Sequence, residues 1–148
     1  QNLTDTPQFG EGYNIFDVLK TLFNKPKSIA PAGTVPSIRS DLKHYYSADV
    51  SVFWFGHSSY LIHANGKNIL IDPVFSGYAS PFSFQIKAFP GADVYKPSDM
   101  PEINCLILTH NHYDHLDYST LKALAAKTTR FVMPLCVTRD LRRPKIAP

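Results

Sequence analysis

Four residues with metal-binding side chains lie within six positions of the chain: His110, His112, Asp114 and His115. Imidazole nitrogen and carboxylate oxygen are ligands that suit zinc, and iron and manganese accept the same donors. Residues i and i+2 of an extended segment project to one side, so His110 and His112 are expected to face one ion. If the chain turns after His112, Asp114 and His115 face a second position beside the first. The spacing H-x-H-x-D-H thus predicts a metal centre, and the absence of HExxH argues against a helix-borne zinc protease site.

The other histidines and the cysteines give weaker signals. His44 and His63 stand alone, and a lone histidine is usually a surface residue or a hydrogen-bonded core residue. Cys105 and Cys136 lie in apolar surroundings without CxxC spacing, which indicates buried free thiols rather than a disulfide or a cysteine zinc site. Free thiols favour a reducing compartment.

A short buried strand is predicted to carry the histidine motif. Residues 105–108 form an apolar run that leads directly into it. Such strand ends are where α/β folds place their sites. After the motif, Asp117 is a plausible N-cap of a helix. That helix would bury Leu121, Leu124 and Ala125, and a strand at 131–133 and a helix from 137 to 142 are predicted to follow.

Upstream of the motif the sequence predicts further strands over residues 50–55, 60–64 and 68–71. Asn65-Gly66 is a strong hairpin signal because both residue types tolerate positive φ. The order of elements, strands first and then β-α-β, indicates an α/β or α+β layered fold. Residues 74–100 form a long loop whose aromatic side chains either line an apolar substrate pocket or join the core; they are Phe75, Phe82, Phe84 and Phe89.

The N-terminal region is predicted to be separate from this unit. Apolar residues recur at helical spacing over 13–24, and an extended connector with three prolines follows over 26–40. We therefore expect residues 1–49 to form a helix and connector, and residues 50–148 to form the domain. The helix packs on its own domain or, as an alternative, touches a membrane surface through its lysines.

Composition limits the classes of protein. The chain has 148 residues, 44% of them hydrophobic, and a net charge of +3, which fits one globular domain. The basic residues are scattered, so no nucleic-acid partner is expected. No apolar run is long enough for a transmembrane helix. We expect a cytoplasmic protein, with peripheral membrane association as an alternative.

The motif and several flanking segments resemble the metallo-β-lactamase superfamily. The flanking segments, at 54–62, 69–75, 79–81 and 108–112, are similar to the branch that contains N-acyl-phosphatidylethanolamine phospholipase D and the ascorbate-6-phosphate lactonases. The resemblance runs from about Ser51 to Leu135 and implies a four-layer αββα sandwich.

The resemblance also implies roles for individual residues. His110 and His112 would bind the first of two divalent ions, and Asp114 and His115 the second, with Asp114 as the candidate catalytic residue. Zinc is the expected metal, with manganese and iron as alternatives. Asp72 would lie behind the ligands and orient the metal loop by hydrogen bonds. His57 would line the site, although a purely structural role fits it equally well.

The family's site also uses two later histidines and an aspartate that bridges the metals. No histidine follows His115 in this chain, and the later aspartates, Asp117 and Asp140, lie near predicted helices. We therefore expect the chain to be the N-terminal half of such a domain, with the remaining ligands supplied by the rest of the same protein.

The motif predicts a metal-dependent hydrolase, and the branch that the chain resembles implies that it acts on a phosphodiester such as a phospholipid. A lactone hydrolase that uses the same site is the first alternative. A non-catalytic metal-binding or interaction domain is the second, and a lipid-surface protein that works through residues 13–24 is the third.

Overall fold

The computed structural model of the protein describes residues 31–78, 87–112 and 114–142. The chain divides into two compact units, Gln1–Ala32 and Gly33–Pro148. The helix predicted over 13–24 lies outside the described residues, so that helix and the boundary at residue 49 stay predictions. Within the described residues, no helix has the length and apolar character needed to cross a membrane.

Five strands form one mixed sheet in the order β1-β2-β3-β4-β5. Their bounds are Ser51–Gly56, Ser59–Ala64, Lys67–Ile71, Cys105–Ile107 and Phe131–Val132. β2 runs antiparallel to both β1 and β3, whereas β4 is parallel to β3 and β5 is parallel to β4. Strands β1, β3, β4 and β5 therefore all end on one side of the sheet, which we call the carboxyl edge.

The predicted hairpin joins β2 to β3. Asn65 and Gly66 have φ values of +50° and +67°, and Ala64 pairs with Lys67 across the turn. Two successive positive φ values match the right-handed twist of the flanking strands, which is why Asn-Gly is favoured there. The hairpin prediction is confirmed.

One face of the sheet packs on the core. Leu61 of β2 lies opposite Phe53 and Leu70, and Leu70 lies opposite Leu106. Because side chains alternate along a strand, the intervening residues point to the other face. The core comprises Leu42, Leu61, Leu70, Tyr95, Met100, Ile103, Leu106, Leu108, Leu121, Leu124, Val137 and Leu141.

Two helices follow β4 and β5, and they carry several of these core leucines. Helix α1 spans Tyr118–Leu124, and the Asp117 carboxylate caps it by accepting from the N–H of Thr120. Leu121 and Leu124 are buried as predicted. Helix α2 spans Leu135–Arg142 and so begins before the predicted residue 137. The earlier start follows from Pro134, whose carbonyl accepts from the N–H groups of Val137 and Thr138.

The long segment between β3 and β4 contains little regular structure. It includes a 3-10 helix at Pro97–Asp99 and an isolated bridge between Tyr78 and Lys87. The Phe75 ring packs against the core, 5.3 Å from the Phe55 ring centroid, whereas Phe89 is exposed. Phe82 and Phe84 lie outside the described residues, so the pocket role of this segment stays a prediction.

Candidate metal centre

The candidate ligands follow strand β4 at the carboxyl edge. The sheet ladder continues to Leu108, whose N–H donates to the Val132 carbonyl at 2.9 Å. The chain then turns, because the His115 N–H donates to the His112 carbonyl at 3.0 Å. This turn places the His115 ring against the His110 ring, with centroids 3.8 Å apart and planes tilted by 46°, while the His110 and His112 centroids are 4.7 Å apart. The structure thus brings the three imidazoles of the motif together.

Asp72 lies directly behind this cluster, at the end of β3. It is only 1% exposed, and its N–H donates to the Ile107 carbonyl at 2.9 Å. Its carboxylate accepts three hydrogen bonds: from the Thr109 N–H at 2.8 Å, from the Thr109 hydroxyl at 2.6 Å and from His115 Nδ1–H at 2.8 Å. With Nδ1 protonated, Nε2 of His115 carries the lone pair and is the atom available to a metal.

Thr109 extends the influence of Asp72 to a second imidazole. Because the Thr109 hydroxyl donates to Asp72, its oxygen accepts from His110 Nδ1–H at 2.8 Å. This bond leaves the lone pair of His110 on Nε2, so one buried carboxylate sets the tautomers of two candidate ligands. Sequence reasoning missed Thr109, because its role depends on contact with Asp72, 37 positions away at the end of a neighbouring strand.

His57 approaches the cluster from the end of β1. Its Nε2 lies 3.0 Å from the Asp114 Oδ2 atom, and its ring centroid is 5.1 Å from that of His115. The His57 side chain is 60% exposed and that of Asp114 is 38% exposed. His57 therefore lines the open side of the site, in contact with a candidate ligand.

The ligand atoms fall into two groups that share Asp114. One comprises His110, His112 and Asp114, the other His57, Asp114 and His115, and within each group the ligand atoms lie within 4.8 Å of one another. Nitrogen and carboxylate donors at this spacing fit a divalent ion of the zinc type. The grouping differs from the predicted pairing in two respects: Asp114 belongs to both groups, and His57 stands among the ligand atoms. Metal ligation by these residues stays a prediction.

Asp114 is ionised at neutral pH. Burial acts to raise its pKa, but its own backbone N–H, the electrostatic influence of the adjacent His115 ring and the hydrogen bond from His57 outweigh burial and lower the pKa below its ordinary value. A carboxylate in this state is acceptor-only and suits a cation.

Asp117 anchors the chain just after the histidine motif. Besides capping α1, its carboxylate accepts from the Ser76 N–H at 2.9 Å and the Thr120 hydroxyl at 2.6 Å. The Thr120 hydroxyl oxygen in turn accepts from the Phe75 N–H at 3.0 Å. Burial acts to raise the pKa of Asp117, but the hydrogen bonds from Thr120, Ser119 and Ser76 lower it overall. The sequence predicted the cap but not this link to the segment after β3.

The remaining described histidines lie apart from the cluster. His63 is buried, and its Nδ1 atom lies 2.9 Å from Asn68 Oδ1. His44 is exposed beside Asp41, at 2.8 Å. His63 is thus a hydrogen-bonded core residue and His44 a surface residue, the two environments predicted for lone histidines.

The chain belongs to the beta-lactamase superfamily. The family described as the beta-lactamase superfamily domain matches residues 67–147, which include the histidine motif, Asp72 and both helices. The predicted resemblance is confirmed. Together with the mixed sheet, this match confirms the predicted fold class, α/β (α+β) of the metallo-β-lactamase type.

Three relatives illustrate what the chain is similar to. An uncharacterized protein of Mycobacterium tuberculosis is 31% identical over 113 residues, which make up 76% of this chain and 30% of that protein. The N-acyl-phosphatidylethanolamine-hydrolyzing phospholipase D 1 of Caenorhabditis elegans is 32% identical over 76 residues, 48% of this chain and 20% of that protein. A metal-dependent hydrolase of Pyrobaculum calidifontis is 36% identical over 70 residues, 47% of this chain and 26% of that protein. The chain spans 20–30% of the length of these relatives.

Proposed function

We propose that this protein is a metal-dependent hydrolase with a binuclear zinc centre that acts on a phosphodiester such as a phospholipid. The observation that carries the proposal is the pair of donor groups that share Asp114 at the carboxyl edge. A single structural zinc ion would not need two adjacent groups of donors. Two ions held by these groups would be able to act together on one substrate.

The chain's own residues hold and orient such a centre. His110 and His112 would bind one ion, and Asp114 and His115 the other. When bound, two divalent ions supply Lewis-acid activation of water and stabilise the negative charge that develops at a phosphoryl or acyl centre.

Asp72 and Thr109 support this arrangement from behind. Their hydrogen bonds at 2.6–2.8 Å present the Nε2 atoms of His110 and His115. Such outer partners typically change metal affinity or activity by about 10–100-fold when they are lost.

Asp114 is the candidate catalytic residue. It is the only donor that belongs to both of the described groups, and its ionised carboxylate is 38% exposed. It can therefore bind a cation and at the same time accept a hydrogen bond from a water molecule at the open side of the site.

The substrate class is supported by the relatives. One of them is named as a phospholipase D that hydrolyses N-acyl-phosphatidylethanolamine, and cleavage of that kind breaks a phosphodiester bond. A metal-dependent hydrolase is also among the relatives. Each of these similarities covers less than half of this chain.

The test is hydrolysis of bis-p-nitrophenyl phosphate and of simple lactones by the zinc-loaded full-length protein, which includes the residues expected to supply the remaining ligands. We expect diester hydrolysis, and a loss of about a thousandfold or more when both His110 and His112 are changed to alanine, because metal activation contributes several kcal/mol. His44→Ala, which removes an exposed imidazole remote from the cluster, serves as the control and should keep full activity.

Each other outcome assigns the protein differently. Activity that survives in the double variant would contradict the metal mechanism. Hydrolysis of lactones alone would move the substrate class to the lactonase alternative. Tight metal binding without turnover on either substrate would favour the non-catalytic alternative.

A further inference from the structure

Asp72 orients the imidazoles from an unusual backbone conformation. Its φ value is +40°, whereas a residue that precedes proline, as Asp72 precedes Pro73, prefers an extended backbone with negative φ. A non-glycine residue at positive φ persists only where its surroundings hold it there. The orientation of the imidazoles therefore depends on the contacts that fix the backbone of Asp72.

Two hydrogen bonds fix the peptide groups on either side of the Asp72 Cα atom. On one side, the Asp72 N–H donates to the Ile107 carbonyl at 2.9 Å. On the other side, the Ser59 hydroxyl donates to the Asp72 carbonyl at 2.5 Å. Because φ and ψ are the only soft torsions of a residue, holding both peptide groups sets the direction in which the carboxylate projects.

The sheet topology explains why a serine of β2 reaches Asp72. Ser59 is the first residue of β2, and β2 runs antiparallel to β3, with Tyr60 paired to Ile71. Continuing this register by one step places Ser59 opposite Asp72 at the carboxyl edge. The contact is therefore a direct consequence of how the two strands pair.

The same serine also holds the chain beyond Pro73. The Val74 N–H donates to the Ser59 hydroxyl oxygen at 3.1 Å. One hydroxyl group thus spans the Asp72-Pro73 step, as a donor to the residue before the proline and an acceptor from the residue after it. Ser59 is only 3% exposed and Asp72 only 1%, so water does not readily replace this hydroxyl if it is removed.

We propose that Ser59 is a positioning residue of the metal centre that acts through Asp72. By holding the Asp72 carboxylate in place, it keeps the protons of the His110 and His115 rings on Nδ1 and leaves Nε2 free for a metal. Without the hydroxyl, the Asp72 backbone would relax toward the extended conformation, and its carboxylate would turn away from Thr109 and His115. The effect on metal binding rests on the function proposed above, whereas the effect on the tautomers concerns the metal-free protein.

The competing explanation is that Ser59 only satisfies buried polar groups. In that case the loss of its hydroxyl lowers the stability of the fold and leaves the imidazoles as they are. The two roles differ in the histidine tautomers, which the ¹⁵N chemical shifts of the ring nitrogens report without any bound metal.

The experiment compares Ser59→Ala with the unmodified full-length protein. NMR of the metal-free, ¹⁵N-histidine-labelled protein under alkaline conditions, in which imidazole is neutral, assigns each ring proton to Nδ1 or Nε2. His110→Ala and His115→Ala identify the two signals. We expect Nδ1–H on both rings of the unmodified protein and a mixture with Nε2–H in Ser59→Ala. Isothermal calorimetry with Co²⁺ should show an affinity about tenfold lower, the smaller end of the effect of outer partners.

Three further variants serve as controls. Ser59→Thr keeps a hydroxyl on a side chain that suits a strand, and it should restore the tautomers and the Co²⁺ affinity. Ser51→Ala removes a hydroxyl that bonds to the Tyr45 hydroxyl at 2.8 Å at the opposite end of β1, and it should change neither. Ser59→Cys keeps the shape of the side chain but donates only weakly, and it takes the place of Ser59→Ala if that variant does not fold.

The outcomes separate this role from the proposed function. If Ser59→Ala loses stability to urea but keeps the tautomers and the Co²⁺ affinity of the unmodified protein, Ser59 has only a structural role and the positioning role is overturned. Equal shifts of the tautomers in Ser51→Ala, or a folded Ser59→Thr that restores nothing, would overturn it as well. If the unmodified protein binds no Co²⁺, the proposed function falls, while the tautomers still decide whether Ser59 orients the imidazoles.

Discussion

The site contains two histidine–aspartate pairs of nearly equal length in different surroundings. His115 and Asp72 lie 2.8 Å apart, with side chains 12% and 1% exposed. His57 and Asp114 lie 3.0 Å apart, with side chains 60% and 38% exposed. The buried pair carries two further hydrogen bonds from Thr109.

Burial decides what each pair can do. A buried carboxylate that is fully hydrogen-bonded loses a great deal when a partner is removed, because no water replaces the partner. An exposed pair exchanges its contact for water at little cost. We therefore assign support of the structure to the buried pair, whereas the exposed pair is accessible from solvent and contributes little to stability.

The largest expected effect comes from Asp72→Ala. This change leaves the Thr109 N–H, the Thr109 hydroxyl and His115 without their buried acceptor. We expect the free energy of unfolding to fall by about 3 kcal/mol, the upper part of the usual range for a broken buried network. Urea denaturation of the metal-free protein measures it, and a loss below about 1 kcal/mol would contradict the division of roles.

Asp72→Asn should instead separate stability from metal binding. Asparagine still accepts from the Thr109 N–H, but its amide group would donate to His115 Nδ1 and so move the imidazole proton to Nε2. We expect Co²⁺ affinity to fall by about 10–100-fold in a folded protein. Calorimetry measures the affinity, with Asp41→Asn as the matched control because it alters the exposed pair with His44. Unchanged affinity would mean that Asp72 does not set the tautomer.

Asp117→Asn tests the second buried carboxylate. Asparagine keeps an oxygen that can cap α1, but its NH2 group replaces the oxygen that accepts from the Ser76 N–H and the Thr120 hydroxyl. This loss should cost about 1 kcal/mol at neutral pH. The lowered pKa of Asp117 means that its ionised form stabilises the fold above the ordinary value of about 3.9, and that this contribution is lost as pH falls through the folded-state pKa. The unfolding free energy of the variant should therefore fall less steeply below about pH 4, as chemical denaturation at several pH values will show. If the unfolding free energies of the variant and of the unmodified protein fall equally steeply below about pH 4, this account is contradicted.

The smallest effect is expected from the exposed pair. Asp114→Asn in the metal-free protein should change the free energy of unfolding by no more than about 0.5 kcal/mol, as is usual for surface substitutions. Urea denaturation in the presence of a chelator measures this change in the free energy of unfolding. Asp72→Ala is measured in parallel for comparison. A loss as large as that of the buried pair would remove the distinction between them.

Local patterns in the sequence predicted most of the fold. The Asn65-Gly66 hairpin and the Asp117 cap are set by residues that are adjacent or three positions apart, so the sequence alone specifies them. The start of α2 was misplaced because its first turn depends on the Pro134 carbonyl, which no side-chain periodicity reveals.

The candidate site was only partly predictable for the same reason. The four residues of the motif are visible as a cluster in the sequence, and the resemblance to a family pointed to Asp72. Thr109 and the shared position of Asp114 emerge only when β3, β4 and β1 meet at one edge. His57 was predicted to line the site, but its contact with Asp114 depends on a pairing across 57 positions of the chain.

The parallel pairing of β3 with β4 has a consequence for the order in which the protein folds. The histidine motif occupies six consecutive positions, yet the bonds that orient it join Asp72 to residues 37 and 43 positions away. Closing such loops costs chain entropy before the new contacts can lower the free energy, and parallel pairing is among the slow steps of folding. A newly made chain therefore has its candidate ligands close together from the start, but their imidazoles are oriented by hydrogen bonds only after β3 and β4 have paired.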